Sequence, residues 1–120
     1  METNRMEQLE ALGTLVEFND RLLRNLPTII GELSGERKAD TDDFLKTIIN
    51  VVNWEINVTN ATLDVLNEDH IRIDKEAFNK KISSLGSSLS LNDDAAIASA
   101  LEELIPFFEQ LGKAAREVTQ

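Results

Sequence analysis

The chain has 120 residues, 22 acidic side chains against 12 basic ones and a formal charge of −10, with 42% hydrophobic and 28% charged residues. That balance describes one folded domain, residues 1–120, of about 6,500 Å² surface when compact; it excludes wholesale disorder, and the acidity sets nucleic acid and anionic membranes against it. With no cysteine, a disulfide scaffold, a thiolate metal site and a cysteine nucleophile are excluded together.

The first element is a long helix from about Thr3 to about Leu33. Leu9, Leu12, Val16, Leu23, Leu26, Ile30 and Leu33 fall on alternating three- and four-residue steps, with Asn19 in the gap. Leu15, Leu22 and Ile29 repeat beside that seam and widen it to the stripe a bundle needs. Pro27 removes one ladder hydrogen bond while the seam continues in phase, which predicts a kink and not a stop. The stop falls at residues 34–40, where Gly35 suits a helix C-terminus and Asp40 or Thr41 the next N-cap.

A second helix spans about Thr41 to Asn67. Leu45, Ile49, Val52, Ile56, Leu63 and Leu66 lie on one line, and Phe44, Ile48, Val51, Val58 and Val65 widen it until this is expected to be the most buried helix. After the connection 67–74, Asp74 reads as an N-cap with Ile73 and Phe78 placed as a hydrophobic staple. The third helix, carrying Phe78, Ile82, Leu85 and Leu89, is short, and the serines around Gly86 predict a fraying end. A fourth helix starts at Asn92 with Asp93 and Asp94 in its first turn. Its seam is Ile97, Leu101, Leu104, Phe108, Leu111, Ala115 and Val118, with a second kink expected at Pro106.

The fold class that follows is all-α: an antiparallel up-down-up-down four-helix bundle with a shorter third helix and proline kinks in helices one and four. No stretch is apolar enough to span a membrane, and the opening residues METNRMEQLE have no apolar signal core, so a cytoplasmic setting is expected. Where the third helix ends early, its longer neighbours should leave an apolar strip exposed, and such strips usually meet a partner or a second copy.

Catalytic equipment is sparse. One histidine, His70, lies among acids in NEDHIRID, where a phosphoryl group would be repelled and where no second histidine completes a metal or haem site. Serines concentrate in SSLGSSLS without a base to activate them. Glu55 is the one carboxylate to weigh, because it stands in the most apolar helix beside Trp54, where burial would raise its pKa. A solvated ladder of Asn53, Asn57, Asn60 and Asp64 offers it an ordinary place on a polar edge. Membership of a polar layer with Asn19 is a second possibility and catalysis a third.

Charge is segregated. Residues 47–71 contain Glu55, Asp64, Glu68 and Asp69 but no lysine or arginine, and residues 82–112 contain Asp93, Asp94, Glu102, Glu103 and Glu109 but again no base. Acidic edges of this kind steer basic partners. The sequence therefore points to a non-catalytic interaction module without cofactor or metal. Its partner is another protein with a basic or apolar helical surface, met by Trp54, Leu89, Glu102, Glu103 and Glu109; export-chaperone, antitoxin or immunity and partner-sequestering roles all fit. The alternatives are a structural homodimer and a small bundle enzyme using the carboxylate of Glu55.

Overall fold

Apolar residues at three- and four-residue spacing wind into five helices: α1 (Glu2–Leu33), α2 (Thr41–Ala61), α3 (Leu63–Leu66), α4 (Lys75–Leu91) and α5 (Asp94–Thr119). They are seen in a computed structural model that describes residues 2–120, with side chains from residue 5 onward. Among the described residues there is no strand, and no helix is long and apolar enough to cross a membrane. The element set is compatible with a four-helix bundle whose second member is divided into α2 and α3. Helix α1 continues through Pro27 and α5 through Pro106.

The boundaries are set by side chains that take up backbone groups. The Thr41 hydroxyl accepts from Lys38 N–H (2.8 Å) and donates to buried Glu32 (2.7 Å), which ties the start of α2 to the end of α1. Gly35, at φ 120°, makes the turn between them. Asp74 caps α4 by accepting from Glu76 and Ala77 N–H, and the staple residues Ile73 and Phe78 are both buried as expected. The start of α5 differs from expectation. Asn92 takes the left-handed conformation (φ 53°) that closes α4, and Asp93 is the cap, accepting from Ala95 and Ala96 N–H.

One further expectation is corrected. The second helix is interrupted at Thr62, whose hydroxyl takes the Val58 carbonyl (2.7 Å) while its own N–H moves to Thr59 O (3.2 Å), so the regular ladder lapses for one residue. The serine-rich end of α4 is helical as far as Leu91, with Ser88 and Ser90 donating back to the Ser84 and Gly86 carbonyls.

Helices α1 and α5 form the central pair, with α2 packed on α1 and α4 on α5. Asn19 Nδ2 donates to Phe108 O (2.9 Å) inside the interface, Phe78 of α4 stacks on Phe107 of α5 at 4.4 Å, and Arg37 bridges Asp94 and Asp42 at the end of the bundle. The most buried helix is α5 and not α2, because α5 lies between α1 and α4 while α2 is covered chiefly by α1. No Cα of α2 comes within 8 Å of one in α4 or α5. At 1.5 Å per residue α4 extends about 25 Å against about 48 Å for α1, and the length it leaves is filled by α3 and the 67–74 connection. There Val65, Leu66 and Ile73 are buried, and Asn67 and Arg72 tie the loop together. The exposed area of 7148 Å² exceeds the roughly 6,500 Å² of a compact chain of this mass, as extents of 48 × 25 × 18 Å require.

Candidate protein-docking surface

The core stripe of α1 runs through Leu12, Leu15, Asn19, Leu22, Leu26, Ile29 and Leu33, with Leu9, Val16, Leu23 and Ile30 half-buried on its flank. Phe18 falls outside both sets. It is 37% exposed, and its ring meets Trp54 of α2 with centroids 5.1 Å apart and planes tilted by 56°. The guanidinium of Arg21 lies 5.8 Å from the centroid of the Phe18 ring. Phe18, Asn50, Val51 and Trp54 line an apolar groove of about 310 Å³ on the outer side of the α1–α2 pair.

This groove forms because α2 has more apolar residues than one neighbour can cover. Its buried line is Thr41, Ile48, Val52, Glu55 and Thr59, which leaves Phe44, Leu45, Ile49, Val51, Trp54, Ile56 and Val58 half-exposed on its flanks. Large aromatic rings held rigid at a surface are the commonest anchors of protein interfaces.

Glu55 lies on that buried line, 0% exposed, and not on the polar edge; the edge is Asn53, Asn57, Asn60 and Asp64, all exposed. Neither carboxylate oxygen of Glu55 has a hydrogen-bond partner, and burial pushes its pKa up to about 8. At neutral pH this side chain is therefore mainly an uncharged carboxyl. Asn19 is buried too, and its Oδ1 likewise lacks a partner, so the two are not bonded to each other. Gly112 makes room for Asn19, since a Cβ there would sit 2.6 Å from Asn19 Nδ2.

The residues singled out from the sequence do not gather in one place. Trp54 lines the groove, while Leu89 is half-buried against the core in the last turn of α4. Glu102, Glu103 and Glu109 are exposed on α5, an element that α2 does not approach. Val51, part of the widened apolar line of the second helix, completes the groove with Phe18 and Asn50, which were not signalled by the core periodicity. The available sign was an aromatic residue standing one position off the stripe, beside Asn19.

A second depression, of about 230 Å³, is lined by His70, Ile71, Arg72, Gln110, Lys113 and Glu117. Arg72 is committed there to Asp69 (2.6 Å) and Glu117 (3.0 Å), and those hydrogen bonds hold both the Arg72 guanidinium above and the Asp69 carboxyl below their usual ranges. His70 is exposed beside Asp69 at 3.4 Å. Among the described residues no group of three histidine or acidic side chains is placed to hold a metal ion.

A family model described as a domain of unknown function (DUF8042) matches residues 10–114, from the early turns of α1 to the last turns of α5. No curated protein and no solved structure matches the chain.

Proposed function

The chain belongs to the family described as a domain of unknown function (DUF8042), and for this member we propose a non-catalytic role as a protein-interaction module. The observation that carries the reading is the exposed aromatic groove of Phe18, Val51 and Trp54, an apolar site that the chain's own helices leave uncovered. The acidic surface of Glu102, Glu103 and Glu109 on α5 adds a long-range field that favours approach by basic surfaces and weakens with salt.

The bundle that presents the groove is read as antiparallel. Arg37 meets Asp94 and Asn19 meets Phe108, so residue numbers fall along α1 as they rise along α5; Glu32 with Thr41 and Arg5 with Glu68 give the same sense for α1 against α2 and α3. The prolines are read as bends that let the two longest helices follow one another.

Immobilised chain exposed to a native lysate at low and moderate salt tests this. Wild type should retain a protein that Trp54→Gln loses, and basic proteins that a Glu102→Gln, Glu103→Gln, Glu109→Gln variant retains only weakly at low salt. Equal retention by all three would refute the assignment of these surfaces.

A further inference from the structure

We propose that the occupant of the Phe18–Trp54 groove is a second copy of the same chain, docked across a twofold axis with the outer faces of the two α2 helices in contact. The inference rests on the groove as a docking surface, given above, and names its occupant; the acidic face of α5 lies outside this contact.

The argument starts from charge. Between Lys46 and Asp64 the sole ionisable residue of α2 is Glu55, and it is sealed in the core at 0% exposure. Residues 47–63 thus form a face about 25 Å long without surface charge, on a chain whose formal charge is −10. In a twofold interface each patch meets its own copy, so any net charge near the axis repels itself. A neutral stretch removes that penalty. A strongly basic partner would instead be drawn to surfaces that carry charge, such as Glu102, Glu103 and Glu109 on α5.

The residue pattern agrees. On the side of α2 turned away from the buried line runs a second line at three- and four-residue steps, Thr47, Asn50, Trp54, Asn57 and Ala61, which is uncharged throughout. The buried line packs on α1, while this line faces solvent with Thr47, Asn50, Asn57 and Ala61 exposed around the half-buried Trp54. Asparagine amides both donate and accept, so they can pair with themselves across an axis.

The rim adds complementary charge. Glu17 and Arg21 are exposed one turn apart on α1, and neither joins an ion pair among the described residues. A second copy presents the same two charges of opposite sign beside its groove, so Glu17 of each copy can meet Arg21 of the other at the edge of the contact. Such rim pairs fix orientation more than affinity, which comes from the aromatic rings at the centre.

Charge swapping at Asn50 is the test, since this side chain is exposed and its replacement leaves the core untouched. Sedimentation velocity of wild type should show monomer passing to dimer as concentration rises. Asn50→Glu and Asn50→Lys, each still helical by circular dichroism, should each raise the dimer dissociation constant at least about tenfold, because like charges then meet across the axis. Mixing the two variants in equal amounts should restore dimer. A wild type that stays monomeric up to about 1 mM, the weak end of specific association, overturns the inference, as does a dimer that neither substitution weakens. If that monomer still retains a partner through Trp54 in the lysate experiment, self-docking fails while the docking role stands.

Discussion

Replacing Glu55 by leucine should stabilise the protein, and the gain should depend on pH in a way set by one carboxyl. Glu55 is 0% exposed, neither of its oxygens has a partner, and burial lifts its pKa from 4.5 to about 8. The unfolded chain releases this proton near pH 4.5, whereas the folded chain holds it until about pH 8. Between those values the folded state binds a proton that the unfolded state has lost, so stability falls as pH rises and levels off above about pH 8. At 1.36 kcal/mol for each pKa unit, the interval from 4.5 to pH 7 amounts to about 3 kcal/mol of lost stability. Glu55→Leu removes that loss, which corresponds to roughly 10 °C in Tm for a chain of this size. A smaller gain, about 1 kcal/mol, should persist at pH 4.5 because a neutral buried carboxyl without partners is also costly. Thermal unfolding followed by circular dichroism, with wild type and variant melted side by side from pH 4.5 to pH 8.5, isolates the effect, since the other carboxylates cancel in the difference. A difference that does not change with pH, or a leucine variant less stable at pH 7, would mean that Glu55 is ionised and paired, and would refute the reasoning.

Gly112→Ala should destabilise by about 2 kcal/mol, because the added Cβ meets Asn19 Nδ2 at 2.6 Å and displaces its bond to Phe108 O; in an Asn19→Ala background, urea unfolding should show most of that cost gone. Asp74→Ala and Asp93→Ala should each cost about 1 kcal/mol through loss of an N-cap, and the two should add because the caps sit at separate helices; a change below a few tenths in urea midpoints would argue that the caps carry no weight. Arg37→Ala should change stability by no more than about 1 kcal/mol, with the effect shrinking in high salt, because its pairs with Asp42 and Asp94 are solvent-exposed. Thr62→Ala frees the Val58 carbonyl, so hydrogen exchange should slow at residues 62–66 as α2 and α3 merge.

Periodicity located the long helices because an apolar residue that misses the core is costly at every turn. The stripe of α1 was placed with Asn19 inside it, and the Asp74 staple was found from Ile73 and Phe78 alone. What periodicity could not supply was the number of neighbours each helix has. Helix α2 was expected to be the most buried because it is the richest in valine and isoleucine, yet those residues crowd three sides of a helix that α1 covers on one. The same excess hid Glu55, whose place on the buried line follows from Ile48 and Val52 on one side and Thr59 on the other, while the asparagines beside it suggested an edge. Hydroxyl groups gave the remaining surprises. Thr62 stands at the break after α2 and Ser88 and Ser90 lie inside α4, yet all three donate to a carbonyl four residues back, so the type of residue did not decide the outcome.

Trp54 is the sole tryptophan, so its fluorescence reports on the groove without labels. Acrylamide quenching in dilute and in concentrated solution asks directly whether a second copy sits on this surface. Trp54 should be readily quenched when dilute and several-fold less so when concentrated, with the change tracking the rise in sedimenting mass. Quenching that stays the same while the mass doubles, or an indole already shielded in the dilute monomer, would contradict the account.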